Sequence, residues 1–552
     1  MTDRFVIGID YGTLSARAVV CRTSDGAIMG EAESVYSHAI LYDHLPDGTP
    51  LPPEWALQHP QDYLDALYAS VPAAMKQSGV PKDSVIGIAI DFTGSTPMPL
   101  AADGQPLCFH AEYAGRPHAY VKLWKHHSAV REAEEMNELA RRYAPELLAS
   151  MGGRISTEVF FTKLIQVLHE DPELFHIMDQ WMEAGDWVTQ QLTGESTRSL
   201  AAAINKGFYR IGTGYPAFIE EAYPELRGMR NTILRGELCP IASVAGHLTK
   251  QMAERLGLPA GIVVPPMHLD AHAAVPALGV TGPGHALYSL GTSTGFMLVQ
   301  PDFHAVEGAC SITYSGMLPG YYGYANGQAA AGDQLAWFVD HCVPASVSDE
   351  AARRGMSLHQ LLTERAAALA PGQSRLIALD WWNGNRSILQ NTGLSGLMLG
   401  MTLQTQPHEI YRALLESIAF GVRRIIEAHS AAGIEMDTVH LAGGISYKNQ
   451  LLVQMVSDVT GKRLLGSKRV SAPAIGAAIL AAVAAGAYET IAEAAAHMNC
   501  LSGQEYHPNP AAAKVYDQLY AEYVLLHDYF GRGENDVMLH LRHLAAAQSR
   551  KG

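Results

Sequence analysis

The sequence predicts an α/β protein built from two duplicated phosphate-binding domains, and three observations lead there. The first is length: 552 residues exceed what one hydrophobic core spans, so two domains are expected. The second is a turn that occurs twice. Near its start the chain reads Val6-Ile7-Gly8-Ile9-Asp10-Tyr11-Gly12-Thr13-Leu14-Ser15-Ala16-Arg17-Ala18-Val19-Val20. Half a chain later it reads Ala286-Leu287-Tyr288-Ser289-Leu290-Gly291-Thr292-Ser293-Thr294-Gly295-Phe296-Met297-Leu298-Val299. Each is an apolar run, a Gly-Thr turn rich in hydroxyls and a second apolar run, the pattern of a β-hairpin. The third observation is order: each half passes from its hairpin through helices to an apolar strand that ends in a Gly-containing turn.

A Gly-Thr turn leaves backbone N–H groups and hydroxyls open to approach, and such turns bind anions. Two of them in equivalent halves suit one polyphosphate held from both sides. An ATP-dependent enzyme is the expectation.

The first hairpin is followed by a turn at Asp25-Gly26 and a Pro-rich loop from Leu45 to Pro53. A helix is expected over about Pro60 to Ser78. The run Ser84 to Asp91 is short, apolar and largely β-branched, so it reads as a buried strand. It ends in Phe92-Thr93-Gly94-Ser95-Thr96-Pro97, and a further strand turns at Ala102-Asp103-Gly104. Charged helices are expected from about Tyr120 to Leu148. A strand at Gly261 to Val264 leads through Pro265-Pro266-Met267-His268-Leu269-Asp270-Ala271-His272 into a helix. The Gly/Pro-rich stretch Gly279 to Gly284 reads as a linker, so the domains are expected at 1–278 and 279–552.

In the second half, Val439-His440-Leu441-Ala442-Gly443-Gly444-Ile445-Ser446 repeats the strand and Gly-rich turn. A helix over about Asn449 to Thr460 places Leu451, Leu452, Met455, Val456 and Val459 on its apolar face. The uncharged run Ser471 to Tyr488 is mostly Ala and Gly, holds Pro473 and is weakly apolar for a membrane span. It reads as a buried helix that packs closely through small residues. Beyond about Glu489 the chain reads as helical.

The formal net charge is −16, and no Lys/Arg-rich run is present. That argues against nucleic acid and anionic membrane as partners. It does not argue against ATP, whose phosphates are held by local backbone dipoles. None of the six cysteines sits at metal or redox spacing, and the N-terminus has no apolar signal-peptide core. A cytoplasmic setting is expected.

Asp10, Gly12, Thr13, Ser15 and Arg17 gather at the first turn. A carboxylate at a strand end can hold Mg²⁺, usually through water, and Gly12 lets the backbone approach phosphate. An ordinary capped hairpin uses the same residue types; the pairing with Gly291-Thr292 favours the phosphate reading. Gly443-Gly444, with Ser446 and Asn449 following, suits a nucleoside contact. Asp270 lies just past a strand, where it either caps a helix or serves as general base toward a hydroxyl; position alone leaves both open. His268 and His272 flank it, but neither strand alternation nor helical spacing clearly brings all three onto one metal. By spacing alone, Lys206, Trp124 and Lys125 read as surface cations and a core aromatic.

Taken in order, Gly8-Ile9-Asp10-Tyr11-Gly12-Thr13, Gly291-Thr292-Ser293 and Ala442-Gly443-Gly444-Ile445 resemble the FGGY carbohydrate kinases. Asp91 to Pro97, Leu123 to Val130, Leu379-Asp380-Trp381-Trp382-Asn383-Gly384-Asn385-Arg386, Gly443 to Gln450 and Gly476-Ala477-Ala478-Ile479 resemble their ribulokinase branch. The similarity spans roughly residues 5 to 490. It implies two ribonuclease-H-like domains of the actin and hexokinase superfamily flanking an ATP cleft. It implies ATP and Mg²⁺ as cofactors, a ketopentose (L-ribulose) as substrate and a homodimer. By the same resemblance, Asp270 matches the catalytic base and Asp10 the acidic residue near Mg²⁺. Gly12, Thr13, Gly291 and Thr292, with Ser15 and Arg17 beside them, match the phosphate turns. Gly443, Gly444 and Asn449 match the adenosine side. Gly94, Ser95, Trp124 and Lys206 match the sugar side. The chain departs from the branch at Gly323-Tyr324-Ala325-Asn326-Gly327-Gln328, where Ala325 stands in place of a sugar-binding Glu. Either Asn326 substitutes for it or the substrate is another ketose or polyol, such as D-ribulose or xylulose; a catalytically silent sugar- or nucleotide-binding regulator on the same fold is the remaining alternative.

Overall fold

The computed structural model describes residues 3–468 and 471–549. The chain forms two compact units. The first comprises Met1–Thr281, Thr313–Gly323 and Val470–Cys500; the second comprises Gly282–Ile312, Tyr324–Arg469 and Leu501–Gly552. The cut expected at 278/279 falls at 281/282, and the halves are not continuous. The helix Ala472–Ala484 returns to the first unit because its small residues bury against that unit's sheet.

The first unit is organised on a seven-stranded sheet. Its order is Gly246–His247, Val263–Val264, Val85–Phe92, Phe5–Tyr11, Ser15–Arg22 and Ile28–Val35, with His268–Leu269 also pairing Val85–Phe92. Phe5–Tyr11 runs antiparallel to Ser15–Arg22 and parallel to Val85–Phe92. Ile7, Ile9, Ile88 and Ile90 are fully buried, as expected of a central strand pair covered on both faces.

The second unit contains the same succession. Thr294–Gln300 pairs antiparallel with Gly284–Leu290, which runs parallel to Met436–Ala442 and then Arg463–Ser467, with Leu501–Tyr506 antiparallel outside. The repeat extends to an irregularity. The register shifts at Phe5/Val6 in one unit and at Gly284/His285 in the other.

Three expectations are corrected. Residues 120–129 are not helical: Val121–Lys122 is a short strand, and the helices are Val130–Tyr143 and Pro145–Ser150. Leu501–Tyr506 is a strand although it lacks β-branched residues, because pairing with Arg463–Ser467 overrides propensity. Asp270 lies just past a strand as expected, but it is the first residue of its helix and Leu269 takes the capping position. Among the described residues no helix is long and apolar enough to cross a membrane.

In the first unit the Ala472–Ala484 helix lies close enough to its neighbours that two glycines admit no side chain. A Cβ on Gly8 would stand 1.9 Å from the Ala474 carbonyl oxygen, and one on Gly476 1.8 Å from that of Ala273. Gly476→Ala is therefore expected to cost about 1–3 kcal/mol through forced backbone separation. The measurement is the urea midpoint of unfolding, with Gly444→Ala as control, since a Cβ there meets nothing within 4 Å. Equal midpoints for the two variants would refute the close-packing argument.

Candidate functional site

In the first unit, adjacent strands bring two carboxyl groups side by side: Asp10 is the register partner of Asp91, which in turn pairs with His268. Ser471, the N-cap of the Ala472–Ala484 helix, donates to Asp10 Oδ2 at 2.7 Å. Asp91 is fully buried, and burial with Asp10 alongside drives its pKa well above the carboxylate range. Burial also raises Asp10, but hydrogen bonds and Arg17 oppose it. Both are raised, and Asp91 is the member of the pair that burial pushes further toward its neutral form. Asp10 suits a metal held through water beside phosphate oxygens, since Mg²⁺ takes only one or two carboxylates in such sites. No cluster of three metal-binding side chains occurs among the described residues, so His268, Asp270 and His272 do not converge on a metal.

Each Gly-Thr turn uses its glycine to close itself. Gly12 N–H donates to Ser15 O at 3.0 Å, and Gly291 N–H to Ser293 O at 3.1 Å. The glycine N–H groups are thus used within the turns. The following N–H groups, of Thr13 and Leu14 and of Thr292 and Ser293, have no protein partner among the described residues and remain for a ligand. Thr13 Oγ1 accepts from Trp124 Nε1 at 3.1 Å. In the second unit the turn also carries a helix start, which the sequence did not announce. Gly332 N–H donates to Gly291 O, Ala331 and Asp333 N–H to Thr292 O, and a Cβ on Gly332 would meet Gly291 O at 2.8 Å.

Two expected phosphate ligands are placed differently. Ser15 Oγ donates to Glu33 at 2.6 Å, and Arg17 pairs with Glu31 at 2.9 Å and Glu33 at 2.8 Å. Both side chains are held by the neighbouring Ile28–Val35 strand.

Asp270 opens the helix Asp270–Ala277 and accepts from Ala271 N–H at 2.6 Å. Part of the residue stays open to solvent, yet surrounding protein raises its pKa to about 6, chiefly by burial, with Asp10 adding to the rise. The Ala271 N–H and Lys206, in the last turn of Leu200–Gly207, oppose that rise. His268 is held near 4 and His272 near 3 by burial, so both are neutral. His268 Nε2 lies 3.2 Å from Met317 O and is the donor.

Gly94, Ser95 and Trp124 sit on two loops of this unit, and the structure corrects the role of Ser95. Its side chain is fully buried and its hydroxyl donates to Glu183, so only the backbone of this loop is open to a ligand. Glu183 and Lys163 carried no sequence signal beyond being charges in apolar runs.

In the second unit Gly443 has φ of 86°, and a Cβ there would meet Leu290 O at 2.3 Å. Gly444 is exposed and opens the helix Gly444–Lys448. Asn449 caps the next helix by accepting from Leu452 N–H at 3.0 Å and donates to Thr363 at 3.2 Å. Asn326 donates to Gly308 O at 3.2 Å and leaves its own buried oxygen unpartnered.

The sequence matches the FGGY family of carbohydrate kinases, with the N-terminal domain over residues 5–276 and the C-terminal domain over 286–485. It is 46% identical to a ribulokinase of Halalkalibacterium halodurans, covering 100% of this chain and 99% of that one. It is 42% identical to a ribulokinase of Mycolicibacterium smegmatis, covering 99% and 98%. The structure is similar to a xylulose kinase from Rhodospirillum rubrum, with TM-score 0.79 and 22% identity over 95% of this chain and 98% of the other. It is also similar to a Plasmodium falciparum glycerol kinase with ADP, with TM-score 0.75, 18% identity and the same coverage. The last two likenesses show a shared fold.

The raised pKa of Asp270 has a stability consequence. A carboxyl whose folded pKa exceeds its unfolded value destabilises the fold once it ionises, above about pH 6 here, and the penalty vanishes below the unfolded value of 3.8. Asp270→Asn is expected to melt at a higher temperature than the parent at pH 8. That gap closes toward pH 4. A gap that widens on acidification would contradict the assignment.

Proposed function

Because the chain belongs to the FGGY family of carbohydrate kinases, we propose that it transfers the γ-phosphoryl group of ATP to the 5-hydroxyl of the ketopentose L-ribulose. The observation that carries the choice of sugar is the 46% identity to a ribulokinase across both full lengths. Asp270 accepts the hydroxyl proton as the O–P bond forms. With a pKa near 6 it is ionised at neutral pH and still basic enough to take a proton. Its hydrogen bond from Ala271 N–H holds one carboxylate oxygen in place. Lys206 binds a sugar hydroxyl. In the first unit the free N–H groups after Gly12 suit phosphoryl oxygens; in the second those after Gly291 do the same, and Gly443 and Gly444 leave room for a nucleoside. Asp10 would hold Mg²⁺ through water, and the ion when bound would neutralise charge on the phosphates. The transition state of such a transfer is loose, so positioning and charge stabilisation supply most of the acceleration. The six cysteines are free thiols, in keeping with a reducing cytoplasm, where we place the reaction.

Ala325 favours a second reading, a different ketopentose such as D-ribulose or xylulose. A site that loses an acceptor for a sugar hydroxyl changes its specificity.

The test is ADP release with Mg²⁺ across a panel of pentuloses, with the product identified by mass. Preference for L-ribulose is expected, preference for another pentulose supports the second reading, and no turnover on any pentulose overturns both. Asp270→Asn is expected to lower kcat by about 10²–10⁴ while leaving ATP affinity largely unchanged. The parent's kcat/KM should fall on acidification with a midpoint near pH 6, as the base becomes protonated.

A further inference from the structure

Resting on that reading, we propose that Lys163 and Glu183 are positioning residues of the sugar site, fixing the two loops that present Gly94 and Trp124. Lys163 lies in the helix Phe160–Glu170 and is fully buried. Its ammonium donates to Ser95 O at 2.8 Å and to Leu123 O at 2.9 Å. Ser95 follows Gly94, and Leu123 precedes Trp124. One cation therefore ties together two loops that share no strand pairing with each other.

Glu183 ends the strand Gln180–Glu183 and is also buried. It accepts from Thr96 N–H at 2.6 Å and from the Ser95 hydroxyl. The Ser95–Thr96 segment is thus gripped through its carbonyl by a cation and through its N–H and hydroxyl by an anion. Antiparallel pairing of Pro97–Leu100 with Gln180–Glu183 carries the same loop onward, with Pro97 opposite Glu183.

Burying an ammonium and a carboxylate costs stability unless every donor and acceptor is matched. A neutral side chain could not bridge two carbonyls and also balance Glu183. Glu183 lies within electrostatic reach of both Lys163 and Lys206, and Lys206 in turn acts on Asp270.

The test compares the parent with Lys163→Met, which keeps the unbranched side chain short of its last atom and removes its donors. KM for L-ribulose and KM for ATP are measured separately. The sugar KM is expected to rise about tenfold or more while the ATP KM stays within about twofold. In Lys163→Ala, added propylammonium is expected to lower the sugar KM again. An unchanged sugar KM, or sugar and ATP KM rising together, overturns the positioning role. Ser95→Ala removes only the hydroxyl on Glu183 and serves if the lysine variants do not fold. A sugar KM raised about threefold supports the proposal, and an unchanged one overturns it. The two readings fail differently. A parent that phosphorylates no pentulose sinks the functional reading. A parent that does so, with variants unaltered in sugar KM, sinks only the positioning role.

Discussion

Backbone-to-backbone contact of the Ala472–Ala484 helix sets the positions of Asp10 and Asp270 in the first unit. Gly8 brings the helix against the Phe5–Tyr11 strand, and Gly476 brings it against the helix that begins at Asp270. The N-cap of the same helix, Ser471, bonds Asp10. One packed element thus fixes both the carboxylate beside the first turn and the helix that presents the base. Small residues are required because any side chain would separate the two backbones. A displacement of about 1 Å at a reacting group is costly to catalysis.

Fixing charged groups in this way works against stability. Asp91, Asp270 and Glu183 are carboxyl groups whose burial raises their pKa, and Lys163 is a buried ammonium lowered to about 7. Asp270, Glu183 and Lys163 are tolerated through specific partners. Ala271 N–H serves Asp270, Thr96 N–H and Ser95 serve Glu183, and two carbonyls serve Lys163. Asp91 is tolerated by staying neutral. Charges held this way in a folded protein are found where chemistry needs them, at some cost to the fold.

The two units repeat one topology but not one chemistry. The strand position that bears Asp10 in the first unit bears Ser289 in the second, since both residues stand two before the glycine of the turn. Asp91 corresponds in register to Ala442. Duplication preserved the turn and its accessible N–H groups, while the carboxyl groups belong to one copy alone. In the second copy the turn instead supports the start of the Gly332–His341 helix.

The sequence by itself determined the duplicated hairpins, the buried strand ending at Asp91, the small-residue helix and the family. These are local patterns of hydrophobicity and glycine placement, legible over ten or twenty residues. It also singled out Asp10, Asp270 and Lys206, the last only through resemblance. Tertiary structure decided what depends on neighbours distant in the chain. It turned Ser15 and Arg17 toward Glu31 and Glu33, and it buried Ser95 on Glu183. It gave the turn glycines' N–H groups to the turns themselves. It returned residues 470–500 to the first unit and made a strand of Leu501–Tyr506. The Lys163 bridge joins residues 68 and 40 positions apart. A hydrogen bond across such separations leaves no periodicity in the sequence, because its partners are chosen by packing and desolvation after the chain has folded.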